Sequence, residues 1–306
     1  MKKNLAHRAS SQKHKVSRRK SQRAAQLRSR KRKIERRLKV AARMTDRGKP
    51  VFGTGAVKYE LSKRSLATNH GAVAIAYRVA VRSGLVSKID DALELLKVPQ
   101  PYHESDHVLN IAINALCGGR TLDDIEHRRN DTAFLNSLGA RAIPDPTTAG
   151  DFCRRFAEED IEVLMDAIND ARLNVWARQP ELTAGMAIID GDGSLITTTG
   201  ECKEGMGLSY KGTWGYHPLL ISLANTNEPL FIVNRSGGRP SSEGAAKYFN
   251  KAITLCRAGG FKEVLLRGDR HRLLADDSSG PLGQGARSVR LWLQGGRWTQ
   301  NQGWLA

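Results

Sequence analysis

The sequence predicts an α/β chain of four parts: a disordered basic arm over residues 1–64, a helical domain over 65–183, a sheet-forming domain over 184–269 and an irregular tail over 270–306. Three observations carry this reading. The positive charge is confined to one end, the hydrophobic period changes near Ile188, and two aspartates, Asp192 and Asp269, each stand where a short apolar run stops at glycine.

Residues 1–64 hold 23 Lys or Arg against Glu35, Asp46 and Glu60, whereas the remainder holds 26 basic against 28 acidic groups. All of the net positive charge therefore belongs to the arm. Its densest stretch, Arg28 to Lys39, has too few apolar residues to offset the entropy of ordering, so it is expected to stay extended or to become helical on a polyanion. Nucleic acid is the natural polyanion, because each docked Lys or Arg releases condensed counterions and gives affinity without sequence preference. Arg30, Lys31, Arg32, Lys33, Arg36 and Arg37 are the expected phosphate contacts. A mitochondrial-type presequence, a tether to anionic membrane, or a true start downstream of Met1 would leave a similar composition, although the arm lacks a clear amphipathic face.

The rest has the composition of an ordinary globular chain, with 40% hydrophobic residues overall. No apolar stretch approaches the roughly 20 residues of a membrane span, and no secretory leader pattern appears, so cytoplasm is the expected place. Cys117, Cys153, Cys202 and Cys256 lie apart, without the paired spacing of a zinc site.

Elements are expected in this order. Ser87 to Leu96 reads as a capped amphipathic helix stopped near Pro99. Ser105 to Cys117 is a more apolar helix closed by Gly118-Gly119, and Thr121 opens another. Pro144-Asp145-Pro146 is a break, after which Thr147 to Phe156 starts a helix with Phe152 and Phe156 on one face. A longer helix follows from about Ile161 to Arg178. His103 and His107 have the i, i+4 spacing of a metal pair, but with no third ligand nearby they read better as exposed or capping residues.

From Ile188 the pattern becomes strands and turns. Ala187-Ile188-Ile189 breaks into Asp190-Gly191-Asp192-Gly193, and Val264-Leu265-Leu266 breaks into Arg267-Gly268-Asp269. Short apolar runs bounded by glycine suit buried strands, and residues just past strand ends are where ligands collect in open α/β sheets. Two carboxylates delivered together need a cation between them, and magnesium is held by one or two carboxylates in phosphate-handling sites. Asp beside Gly also caps turns routinely. Between the two acids, Gly212 to Leu223, entering a strand through a Gly/Pro-rich turn, and Pro229 to Val233 read as a hairpin, and Ala245 to Arg257 as a helix. Strand with acid, hairpin, helix, strand with acid is the order of a ribonuclease-H-like domain.

Several segments now carry a resemblance: Asp190-Gly191-Asp192-Gly193-Ser194, Gly215-Tyr216-His217-Pro218-Leu219, Asn234-Arg235-Ser236-Gly237-Gly238-Arg239-Pro240-Ser241, Arg267-Gly268-Asp269, and the helical Pro146 to Phe156. In this order the chain resembles the DDE transposases of bacterial insertion sequences, most closely the thirteen-eighty insertion-sequence family. The resemblance implies that Asp192 and Asp269 are catalytic acids holding Mg2+ or Mn2+, with Asp190 the alternative for the first. It also implies transposon terminal repeats and target DNA as partners, a homodimer as a possible assembly, a helical DNA-binding domain ahead of the catalytic one, and a nucleoid-associated bacterial location. Arg235, Arg239 and Lys211 are candidate phosphate contacts, and surface solubility accounts for them equally well.

The chain departs from the family in two places. The family's third acid is a downstream glutamate, whereas the last glutamate here is Glu263, and the family's Gly-Asp-x-x-Phe motif fails because Asp269 is followed by Arg270-His271-Arg272-Leu273. After Arg267 the chain has no lysine or glutamate and fills with Gly, Arg, Gln and Trp. This tail reads as a frameshifted continuation, which would make this copy a truncated, inactive transposase, or a DNA-binding remnant that inhibits an intact one.

Overall fold

The computed structural model describes residues 27–36, 39, 50–53, 67–97, 101–200, 203–209, 211–239, 243–268, 289–293 and 297–300. The chain divides into two compact units, one of residues 1–77 with 94–156 and one of residues 78–93 with 157–306.

The first unit is helical where described. Residues 27–36 form helix α1 (27–36), inside the stretch read as a disordered arm, and all ten are exposed. Leu, Arg, Lys and Glu are good helix formers, and Lys31 lies 3.9 Å from Glu35 one turn on. The arm reading also ends too late, since Phe52 is only 4% exposed. Its anchor is Asp106, which accepts from the backbone N–H groups of Val51 (3.0 Å), Phe52 (3.4 Å) and His103 (2.9 Å). The Tyr77 hydroxyl donates to the Phe52 carbonyl at 2.6 Å. Tyr77 belongs to α2 (Val73–Arg82), which crosses the boundary between the units.

The helix that was expected over Ser87 to Leu96 is α3 (Leu85–Ala92), in the second unit, and it ends earlier. Leu93 is extended at its C-terminus. In the first unit the Leu96 N–H is taken by the Glu104 carboxylate at 3.0 Å, so it has no part in a helical ladder. There α4 (Glu104–Leu116), a 3-10 turn (Leu122–Asp124), α5 (Ile125–Arg129), α6 (Thr132–Ser137) and α7 (Pro146–Cys153) follow in sequence. Asp145 caps α7 by accepting from the Thr148 N–H (2.9 Å) and hydroxyl (2.8 Å), and these bonds hold its carboxyl below the usual range. The Pro144-Asp145-Pro146 break is thus a helix start.

His107 corrects the expectation of an exposed histidine, being 3% exposed on α4. Its ring stacks on Phe152 at 4.4 Å and meets Tyr102 edge-on, and its Nδ1 has no hydrogen-bond partner among the described residues. Burial, reinforced by the charge of Arg155, pushes its pKa down to about 4. The unfolded chain therefore takes up the His107 proton near pH 6.5 and the folded chain only near 4. His107's contribution is complete above pH 6.5 and is lost as pH falls through that window, by up to about 3 kcal/mol. Buried Asp106, whose carboxyl is raised chiefly by desolvation, opposes part of this loss. Denaturant melts between pH 7 and 4 should show the decline, and His107→Phe should flatten it; an unchanged slope in the variant would assign the decline to other groups.

The second unit combines helices with a mixed sheet. Here α8 (Glu158–Trp176) and α9 (Pro180–Thr183) precede β1 (Met186–Gly193), and α10 (Ala245–Ala258) follows the hairpin as predicted. The other strands are β2 (Ile196–Thr197), β3 (Gly207–Leu208), β4 (Trp214–Tyr216), β5 (Leu219–Leu223), β6 (Glu228–Val233), β7 (Glu263–Gly268), β8 (Val289–Leu293) and β9 (Arg297–Gln300). The main sheet has the order β6-β5-β1-β7-β8-β9, with β1 antiparallel to β5 and parallel to β7. Asn227 closes the β5–β6 hairpin with φ 58°, a backbone position Asn tolerates better than most residues. A register shift after Ile221 places Pro229 opposite Ser222.

Alternation along β1 buries Ala187, Ile189 and Gly191 on one face, which packs with Phe249, Ala252 and Cys256 of α10 in one core. Seclusion in that core raises the Cys256 thiol to about 12, which fits an inert, buried cysteine. The tail is not irregular throughout. Its backbone over 289–293 pairs parallel to β7, and 297–300 returns antiparallel. The short, mostly apolar Val289-Arg290-Leu291-Trp292-Leu293 suits a strand, and the outer edge of β7 supplies N–H and C=O groups to satisfy it. Among the described residues no helix is long and apolar enough to cross a membrane.

Candidate metal centre at the end of the central strand

The site begins with alternation. Since Ala187, Ile189 and Gly191 face the core, Ile188, Asp190 and Asp192 share the opposite face of β1. Gly191 has to be glycine, for an added Cβ would lie 2.2 Å from Cζ of Phe249. In sequence this glycine reads as a turn residue, whereas in the fold it is the gap into which α10 packs.

The two aspartates have different surroundings. Asp190 is paired in register with Arg267 of β7, and both its oxygens are engaged: Arg267 Nε donates to Oδ1 and Nη2 to Oδ2, each at 2.6 Å. That bidentate bond raises the guanidinium pKa further. Asp192 lies two residues on and is exposed, and its Oδ1 accepts from the Gly193 N–H at 2.7 Å. Strand β7 stops at Gly268; Asp269, the other predicted acid, lies outside the described residues.

His217, which in sequence stands out only as part of the Gly215 to Leu219 motif, is a neighbour of the site. Its ring packs against Gly193, where an added Cβ would meet Cε1 at 2.5 Å. It is braced by Arg235, whose carbonyl accepts the His217 N–H at 2.8 Å and whose Nε donates back to the His217 carbonyl at 3.1 Å. Arg235 Nη1 also donates to the Glu243 carbonyl at 2.8 Å. Arg235, one of the predicted phosphate contacts, is 9% exposed, and its guanidinium ties the 217 and 243 backbones together. Its position next to Asn234 and Ser236 in the chain could not reveal this, because the partners are backbone carbonyls distant in sequence.

The other predicted nucleic-acid contacts lie elsewhere. Arg239 is exposed and bonded to Glu243 at 2.6 Å, which offsets part of its charge. Arg30, Lys31, Arg32, Lys33 and Arg36 are exposed on α1, in the first unit, while Arg37 lies outside the described residues.

Among the described residues no group of three His, Cys, Asp or Glu gathers to hold a metal. What they offer is one exposed carboxylate at the end of the central strand, with its like-charged neighbour already neutralised by Arg267. Hard oxygen donors of this type suit a divalent cation such as magnesium, and the strand end is where an open α/β sheet presents its ligands. The fold and site thus define an α/β protein with an acidic strand-end centre. Residues 50–274 match the family model described as transposase DDE domain group 1. That is well over half of the chain, and the chain belongs to this transposase family. Domains of this family are generally dependent on divalent metal.

No curated protein matches the chain. Among solved structures, one described as "Mos1 transposase paired-end complex with left transposon end" is 13% identical, covering 54% of this chain and 51% of that chain with a TM-score of 0.17. A score that low carries no argument, and the chain spans about half the length of that protein.

Proposed function

We propose that the chain is the transposase of a bacterial insertion sequence, of the thirteen-eighty insertion-sequence family, which binds transposon-end DNA and uses a ribonuclease-H-like domain for metal-dependent phosphodiester chemistry. The observation that carries this reading is the parallel register of β1 and β7. It pairs Ile189 with Leu266 and Asp190 with Arg267, and two residues further along each chain come Asp192 and Asp269. These two acids would hold Mg2+ or Mn2+. When bound, the ion supplies charge stabilisation to an in-line displacement at phosphorus.

The chain's own residues prepare that site. Arg267 neutralises Asp190, which would otherwise set a second negative charge on the same face as Asp192. The Gly193 N–H orients the Asp192 carboxylate, and His217 fills the space over Gly193. The exposed basic residues of α1 supply phosphate contacts that hold DNA without reading its sequence, and base recognition is assigned to the helices of residues 65–183.

A second reading keeps the binding of transposon ends without the cutting. On it, the polypeptide competes with a transposase that does cut. Both readings require preference for the terminal repeats flanking the gene over scrambled duplex, by about a thousandfold at physiological salt. Both also require Arg30, Arg32 and Arg36→Gln to lower the slope of log affinity against log salt by about one per charge removed. Equal affinity for both duplexes would sink the pair. Nicking of repeat DNA in Mn2+ decides between them: its presence supports the first reading, its absence the second.

A further inference from the structure

The small sheet β2-β4-β3 has one closed face and one open one. Leu208 pairs with Trp214 and Ile196 with Tyr216, and Trp214 and Tyr216 are two apart on β4, so all four side chains belong to one face. Ile196, Leu208 and Trp214 are 55%, 49% and 53% exposed. The opposite face is sealed by the Ser236-Gly237-Gly238 turn: the Gly237 N–H donates to the Gly215 carbonyl at 3.1 Å, and a Cβ on Gly207 would meet Ser236 Oγ at 2.1 Å. The turn accounts for the glycine at 207, and the backbone of β2 for the glycine at 215, where a Cβ would lie 2.2 Å from the Ile196 carbonyl oxygen. Neither gives a reason for leaving a tryptophan, a leucine and an isoleucine together in water.

Two features indicate the occupant. Strand β2 begins three residues beyond Gly193, so the chain leaves the strand end that carries Asp192 directly into this small sheet. Its connecting loops carry exposed Lys203 and Lys211, the first held by the Thr198 hydroxyl at 2.7 Å. An aromatic and aliphatic platform bordered by lysines is the composition on which nucleic-acid bases stack while the backbone is held by charge.

We propose that the Ile196–Leu208–Trp214 face stacks unpaired bases of a DNA end beside Asp192. The inference rests on the transposase reading. The test compares the full-length chain with Trp214→Ala, Trp214→Phe and Ile196→Ser, each checked by circular dichroism, in anisotropy titrations of a blunt duplex and of the same duplex with a short oligothymidine overhang. The expected result is tighter binding of the overhang, lost about five- to a hundredfold in Trp214→Ala and weakened in Ile196→Ser, retained in Trp214→Phe, with the salt slope unchanged. An unaltered overhang preference in folded Trp214→Ala and Ile196→Ser would overturn the inference, as would sedimentation showing that these variants lose self-association instead. Failure to bind either duplex in a salt-dependent way would overturn the transposase reading itself.

Discussion

Trp176→Ala should lower the stability of the sheet-bearing unit by about 3–5 kcal/mol, the largest structural effect expected of any single change. Trp176 ends α8, is fully buried, and meets Phe261 edge-to-face at 5.6 Å. Gly259 leaves room for its ring, since a Cβ there would lie 2.5 Å from Cε3. Truncation opens a cavity that rigid backbone on that side cannot fill. It also removes the indole N–H from Glu228 Oε2 (3.3 Å), the same oxygen that Arg172 Nε holds at 2.9 Å. The same seam carries Asn169 Nδ2 to the Leu230 carbonyl at 3.0 Å and Arg172 Nη2 to the Pro229 carbonyl at 2.7 Å, so α8 and β6 loosen together. Urea unfolding followed by circular dichroism would measure the loss. A change below about 1 kcal/mol would mean that the site relaxes and that Trp176 is not the keystone its burial suggests.

Asp192→Asn should weaken Mn2+ binding at least about tenfold, since even residues behind a metal ligand cost that much when removed. The amide is nearly isosteric and its oxygen can still accept from the Gly193 N–H, so stability should change by less than about 0.5 kcal/mol. Asp190→Asn should behave oppositely. It deprives Arg267 of its carboxylate at a site that is partly exposed on both sides (40% and 35%), costs on the order of 1 kcal/mol after solvent screening, and leaves Mn2+ binding in place. Titration of each variant with Mn2+, read by electron paramagnetic resonance, separates the two aspartates. Loss of binding in Asp190→Asn alone would transfer the role of first acid to Asp190.

Much of the sheet-bearing unit was legible in sequence because local signals agreed there. The β5–β6 hairpin announces itself by two apolar runs around Asn225 to Glu228, and α10 by an amphipathic run after Gly244. The short strands β2, β3 and β4 escaped notice: at two or three residues they are below the length at which alternation can be recognised. The helical unit misled in a different way. Phe52 and His107 look like residues of a polar arm and a polar helix face, and only the carboxylate of Asp106 and the ring of Phe152, far off in sequence for Phe52 and a turn of another helix for His107, put them inside.

What the sequence determined by itself is the placement of charge and acids along the chain: a basic start, aspartates where apolar runs end, and the segments that resemble the transposase family. Those are properties of residue type and spacing. The tertiary structure alone decided which aspartate is bonded to an arginine and which is exposed, and that Arg235 braces backbone. It alone also left Trp214 in the open. Each of these depends on strand register or on distant backbone carbonyls, and a one-dimensional pattern carries no record of which residues become neighbours across a sheet.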